Sequence, residues 1–187
     1  MDDARSVSSR PPESIDLGDV VVRRYMVTDA PLLHDAIVDS LDHLRPWMAW
    51  IARESLEVSN RESLLADSWT AWEEGRDFMM GIFGEGALIG STGLHLRGAD
   101  GTAEIGYWMR VGHAGRGIAT RVVRALMDAA LDMEGIDTVA IHHDAANTAS
   151  RRVAEKAGLS LVAEVCREPE APGETGQLLS WVRSRGR

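Results

Sequence analysis

Apolar side chains change their spacing several times along the chain, and each change marks a structural element. VVVRRY over Val20–Tyr25 alternates and predicts a first strand. Leu33, Ile37 and Leu41 then recur at i, i+4 and i+8 within Ala30–Leu44, the spacing of an amphipathic helix. Thr28 and Asp29 offer its N-cap, and Pro31 stands in its first turn. Pro46 ends this helix, and Trp47 and Trp50 follow in a short aromatic turn. A second helix is predicted over Arg61–Glu74, capped by Asn60 and stopped by Gly75. Its Leu65, Trp69 and Trp72 share one side, and both tryptophans read as core.

The period then shortens. Phe78–Phe83, Ala87–Leu96 and Ala103–Val111 read as three strands joined by glycine turns at Gly84–Gly86 and Gly98–Gly101, an antiparallel meander. Helical spacing returns after Gly112–Gly117 with Ile118, Val122, Leu126, Ala129 and Met133, and Gly135 closes that helix. TVAIHH follows as a fifth strand, reached by a crossover and expected to lie parallel to its predecessor. Asn147 caps a short helix, Thr148–Ala157, ended by Gly158. LVAEVC and QLLSWV are the final strands, joined by the loop Pro169–Gly176. Residues 1–18 read as a polar tail and residues 19–187 as a single mixed α/β domain without internal repeats.

Composition narrows the class. The chain has 187 residues, 44% hydrophobic and 26% charged, enough for a sizeable core without disulfides or structural metal. No apolar run approaches the roughly 18 residues of a membrane helix, and the first residues carry no apolar signal core. A cytoplasmic protein without a membrane partner is therefore expected. The single cysteine, Cys166, has no thiol partner for a disulfide or zinc ribbon and reads as buried and inert, so no metal is expected. The net charge of −9 argues against generic nucleic-acid binding and favours basic partners such as amines.

One segment runs against that charge. AEIGYWMRVGHAGRGIATRVVRALMDAAL is a strand, a glycine-rich turn and an amphipathic helix in succession. The first N–H groups of a helix lack intrahelical acceptors, and the macrodipole makes that end electropositive. Gly115 and Gly117 allow a ligand close to the backbone. From Arg110 to Arg124 there are four arginines and no acidic residue. A polyanionic ligand is indicated, with a plain cap and solvated arginines as the alternative. Two phosphate motifs fail on specific residues. Walker A requires a lysine where Ile118 follows Gly117, and the dinucleotide fingerprint requires a glycine where Thr120 stands.

GHAGRGIATRVV resembles the acyl-CoA loop of the GNAT N-acetyltransferase superfamily, Q/R-x-x-G-x-G/A, with Gly117 and Ala119 in the two small-residue positions. Ala114 departs from the usual Gln or Arg, which removes one side chain and leaves the backbone amides. The AEIGYWM strand, the Asn147–Leu159 run and the LRPWMAW segment are similar to the RimJ/RimL branch, which includes ribosomal-protein N-terminal acetyltransferases. The resemblance covers Val20 to Val182 in the family's order of elements. It implies an α/β (α+β) GNAT fold, whose central, mostly antiparallel mixed sheet splays between the fourth and fifth predicted strands and is flanked by helices. It implies acetyl-CoA as co-substrate and an amine acceptor, either a protein N-terminus or a small molecule. It also admits a homodimer.

Roles follow from the resemblance. The backbone of Met109 and Val111 would pair with the pantetheine arm, and the amides of Gly115, Arg116, Gly117, Ile118, Ala119 and Thr120 would take the pyrophosphate. Side chains of Arg116 or Arg121 would reach other phosphates, with an exposed helix face as the alternative for Arg121 and Arg124. Asn147 would touch the cofactor, and Ser150 would protonate the departing thiolate. Glu104, set among apolar neighbours on the fourth strand, is the first candidate base, and partial burial would raise its pKa. His95 at the end of the third strand is the second. His142 and His143 are adjacent on the fifth strand, so only one is expected to face the cleft. Trp47, Trp50 and His95 are expected to line the acceptor site. A non-catalytic acyl-CoA-binding module, or transfer of another acyl group such as succinyl, is the competing function.

Overall fold

In the computed structural model, which describes residues 9–53, 57–97 and 101–186, the predicted period changes fall where the elements change. The strands are β1 (Ser14–Asp16), β2 (Val20–Arg24), β3 (Asp77–Gly84), β4 (Ala87–His95), β5 (Thr102–Met109), β6 (Thr138–Asp144), β7 (Ser160–Cys166) and β8 (Gln177–Ser184). The helices are α1 (Ala30–Leu44), α2 (Val58–Glu73), α3 (Ile118–Asp132) and α4 (Thr148–Ala157). All eight strands form one sheet in the order β1-β2-β3-β4-β5-β6-β8-β7. Every neighbouring pair is antiparallel except β5 and β6, which the α3 crossover makes parallel.

Two apolar clusters sandwich the sheet. One packs Val122, Val123 and Leu126 of α3 against Ile82, Ile105 and Val139. The other packs Leu33 and Ile37 of α1 with Leu65 of α2 and Leu88 of β4. The clusters explain why β3 and β4 carry almost continuous apolar runs: both faces of these strands are covered.

The decisive feature is a parting of strands. β5 and β6 pair only at Thr102–Thr138, Ala103–Val139 and Glu104–Ala140. Beyond Glu104, β5 follows β4 up to Met109 opposite Gly90, while β6 follows β8 to Asp144 opposite Leu178. The splay expected between the fourth and fifth predicted strands lies here.

Several expectations are corrected. The tail does not reach residue 18, because Ser14–Asp16 pairs with β2 and Ile15 packs on the core. Residues 1–8 of that expected tail lie outside the described residues. Helix α2 starts at Val58, since the Asn60 amide already bonds the Glu57 carbonyl and Asn60 lies inside the first turn. Trp72 is buried edge-on against Phe78, but Trp69 is exposed and stacks beneath the Arg24 guanidinium, 3.5 Å from its ring centre. Cys166 is exposed, because β7 is the outermost strand and neither of its faces is covered by the described residues.

Candidate active site

Where β5 and β6 separate, two cavities meet. The first, of about 300 Å³, lies under the glycine-rich loop and is lined by residues including Met109, Gly115, Gly117, Ile118, Ala119 and Thr120. The second, of about 740 Å³, opens on the other side and is lined by residues including Trp47, Trp50, His95, Glu104, His142 and Trp108. Trp47, Met48, Tyr107, Trp108, Asn147 and Ser150 belong to both walls.

The loop is built as an open cradle. Gly112, Gly115 and Gly117 all have positive φ, and a Cβ at any of them would meet nothing within 4 Å. Gly117 is the N-cap of α3 in a left-handed conformation, without a side-chain cap and without an acidic residue in the first turn. The amides at that helix end therefore face the cavity uncompensated, as an anion requires. On the far wall, Arg152 and Lys156 of α4 line the same cavity and have no ion-pair partner among the described residues. They face it from one side of α4, at i and i+4. Sequence reasoning missed both, although that spacing was available.

The arginines of the loop are differently employed. Arg116 binds Glu85 at 2.8 Å, and Arg121 holds Asp19 through both nitrogens at 2.6 and 2.9 Å. Arg110 pairs with Asp39, and Arg124 reaches the Lys156 carbonyl. In this structure acidic residues distant in sequence hold both side chains in exposed ion pairs, so Arg116 or Arg121 would exchange a carboxylate to reach a phosphate. The strand ends at Met109, and the Val111 amide donates to Ser40 Oγ at 3.0 Å. Arg110 donates its amide to the Ile89 carbonyl, so by strand alternation the peptide groups of Tyr107 and Met109 face the gap.

At the junction of the cavities, the Tyr107 hydroxyl and Ser150 Oγ lie 3.1 Å apart. Burial pushes the Tyr107 phenol up to about 12, against the pull of the Ser150 hydrogen bond. Asn147 accepts the Ser150 amide at 3.0 Å through Oδ1 and so caps α4, which leaves its amide nitrogen for a ligand. Tyr107 was not expected here. It lies 43 residues before Ser150, and only the fold joins them.

The floor of the larger cavity carries the titratable groups. Glu104 and His95 are cross-strand partners in β5 and β4, and both line it. His95 Nδ1 is 2.7 Å from Asp77 Oδ2, the oxygen that Arg97 also binds at 3.1 Å. Burial pushes Asp77 up, but the hydrogen bond and charge of His95, helped by Arg97, hold its carboxyl below the ordinary value. His142 and His143 both line the cavity, contrary to expectation: past the gap, β6 has no strand neighbour on that side among the described residues, so the cavity reaches both of its faces. His143 stacks on Trp181, and burial pushes its imidazole down.

The remaining wall is the loop between β7 and β8. Buried Asp144 accepts hydrogen bonds from the amides of Ala146, Thr175 and Gly176 and from the Thr175 hydroxyl, all within 3.0 Å. Burial alone would raise this carboxyl, yet these bonds hold it at about 2. The same loop closes onto the Trp47 turn, where the Gly173 amide donates to the Pro46 carbonyl at 2.8 Å. A Cβ on Gly173 would stand 2.7 Å from that oxygen.

A gap between parallel strands, an open glycine loop at a helix N-terminus and a part-buried hydroxyl pair between two cavities thus lie together in one candidate site. Residues 19–160 match the family model described as acetyltransferase (GNAT) domain, and the chain belongs to that family. It is an N-acetyltransferase. Its sequence is similar to a putative ribosomal N-acetyltransferase of Bacillus subtilis, YdaF, at 29% identity over 140 residues, 74% of this chain and 76% of that protein. Among solved structures, RimL, the ribosomal L7/L12 alpha-N-protein acetyltransferase in complex with coenzyme A, superposes with a TM-score of 0.83 at 19% identity. That match covers 92% of this chain and 98% of the other. The microcin C7 self-immunity acetyltransferase MccE, in complex with acetyl-CoA and AMP, gives 0.84 at 20% identity over 93% and 97%. At these identities the solved structures establish the fold.

Proposed function

We propose that the protein acetylates the terminal amine of a peptide, with acetyl-CoA as the acetyl donor. The observation that carries this reading is the meeting of the two cavities at the β5–β6 gap, with Tyr107 and Ser150 in their common wall. The smaller cavity suits a diphosphate at the amides of Gly115–Thr120, with Arg152 and Lys156 opposite. The peptide groups of Tyr107 and Met109 face the gap, where an extended pantetheine arm finds backbone partners and a developing oxyanion finds an N–H donor.

The larger cavity suits an amine. Trp47, Trp50 and Trp108 give it aromatic walls, and Glu104, Glu170 and Glu174 give it negative charge. The YdaF protein is named a ribosomal N-acetyltransferase, which favours a peptide end over a small amine. Succinyl transfer finds less support. Arg167 is the arginine in the wall, and Glu170 and Glu174 already hold it at 2.5 and 2.9 Å.

Mass spectrometry of a peptide panel incubated with the protein and either acetyl-CoA or succinyl-CoA tests the reading. N-terminal acetylation is expected. Acetylation of polyamines or aminoglycosides but of no peptide would replace the acceptor class. Tight acetyl-CoA binding without turnover on any amine would leave a binding module.

A further inference from the structure

His95 is the middle of a row that crosses three strands. Asp77 of β3 stands opposite His95, and His95 stands opposite Glu104 of β5. Directly opposed residues project to the same face of a sheet, with Cβ atoms about 5 Å apart. The Asp77 carboxylate only accepts hydrogen bonds, so Nδ1 of His95 carries the ring proton and Nε2 of the neutral ring is left with its lone pair. That lone pair lies over Gly106, where a Cβ would come within 2.9 Å of Nε2. Gly106 is part of the acceptor cavity's floor, and its missing side chain is what admits the ring.

Behind the ring lies a third cavity, of about 530 Å³. It is lined by residues including Asp67, Thr70, Arg76, Asp77 and Arg97, and it shares only Leu64, Met79 and His95 with the acceptor cavity. Asp77 belongs to this rear cavity and not to the acceptor cavity. The imidazole is thus a partition, with its basic nitrogen toward the acceptor and its protonated nitrogen toward a second opening.

We propose that His95 is the general base that deprotonates the acceptor amine, that Asp77 is its positioning residue, and that the proton leaves through the cavity between α2 and the β3–β4 ends. The inference rests on the acetyl-transfer reading and assigns to Glu104 the holding of the incoming ammonium. The protons balance. An ammonium nitrogen has three protons and the amide product keeps one. Nε2 of His95 takes the first as the nitrogen lone pair is freed to attack the thioester carbon. As the C–S bond breaks, the second ends on the thiolate through the Ser150–Tyr107 hydroxyls. The imidazolium, whose charge Asp77 balances, gives up its Nδ1 proton to solvent through the rear opening, and exchange of the Nε2 proton for one at Nδ1 through water restores the starting tautomer. Asp77 contacts the ring and Arg97 contacts Asp77; Arg76 and Asp67 line the rear cavity, and Glu104 and His142 line the acceptor cavity on the other side.

The test is the pH dependence of kcat at saturating acceptor for wild type, His95→Gln, Asp77→Asn and Gly106→Ala, with melting temperatures measured alongside. His95→Gln is expected to lose roughly 100- to 1,000-fold in kcat at unchanged acetyl-CoA KM. Asp77→Asn removes the acceptor that fixes the ring's tautomer and orientation, so kcat at the pH plateau should fall about tenfold or more. Gly106→Ala should displace the ring and reproduce part of the His95→Gln loss. Nitrogen NMR of the His95 ring should show the Nδ1–H tautomer in wild type and its loss in Asp77→Asn, a readout that needs no turnover. His95→Gln within threefold of wild type would overturn the relay and leave acetyl transfer standing. So would an Asp77→Asn variant that melts lower while the ring keeps its Nδ1–H tautomer and kcat stays within threefold of wild type. Wild-type protein inactive on every amine would instead overturn the acetyl-transfer reading, and the relay with it.

Discussion

The hydroxyls of Tyr107 and Ser150 meet at 3.1 Å, one from β5 and one from the first turn of α4, and their contact spans the gap between the two half-sheets. With its phenol pushed up to about 12 by burial, Tyr107 stays protonated at every pH an assay uses and is available as a donor. Tyr107→Phe and Ser150→Ala are each expected to lower kcat by roughly 10- to 100-fold. The double variant should be little worse than the poorer single one, because the two hydroxyls act as one donor. Thiol release from acetyl-CoA measures all three, and no alkaline limb from this pair should be seen up to about pH 10.

Gly117→Ala forces a side chain into φ +77° at the mouth of the anion cradle. Strain of about 1–2 kcal/mol is expected, with the amides re-aimed as the loop relaxes. Calorimetry should find acetyl-CoA bound roughly tenfold or more weakly. Gly135, at φ +81° in the turn before β6, is the control: alanine there should lower the melting temperature similarly and leave binding unchanged.

The Gly173–Pro46 contact ties one wall of the acceptor cavity to the other. With only 2.7 Å between a Cβ at Gly173 and the Pro46 oxygen, Gly173→Val must break the tie. Acceptor KM should rise several-fold with acetyl-CoA KM unchanged. An equal rise in both would show that the tie supports the fold and not acceptor fit.

Asp144 has a folded pKa of about 2, below its unfolded value, so its contribution to stability is present above the ordinary carboxylate range and disappears as pH falls toward 2. Asp144→Ala should cost on the order of 2–4 kcal/mol at neutral pH, from the loss of several charge-assisted hydrogen bonds in a buried site. Denaturant titrations at neutral and acid pH should show the gap between wild type and variant narrowing below about pH 4.

Much of this was legible in the chain. The short apolar runs of β3 to β6 bounded by glycine turns, the 3.6-residue period of α3 and the glycines before it name the sheet, the crossover and the candidate anion site, because each depends on neighbours a few residues apart. What stayed hidden depends on partners far away. Four arginines without a nearby acid looked like a cationic patch, yet Asp19, Asp39 and Glu85 fold against three of them. Asp77 is 18 residues from His95, and nothing local marks it as the partner of the ring. LVAEVC alternates like a half-buried strand, but at the sheet's outer edge no layer of the described residues covers either face, so Cys166 is exposed. Trp69 has core spacing yet lies at the surface, where Arg24 of β2, distant in sequence, stacks on its ring.

Only three residue pairs stitch β5 to β6, and past that seam the hydrogen-bonding edge of β5 is vacant by construction. Chemistry and choice of client are thereby carried by separate parts of the polypeptide. On the proposed reading, the β5 main-chain edge, the Tyr107–Ser150 hydroxyls, His95 and the N-terminal ends of α3 and α4 make the transfer point, while residues 46–51 and 169–176 shape what approaches it. Those two stretches can be rewritten by evolution or by an engineer to serve a new amine, with the reaction centre left as it stands.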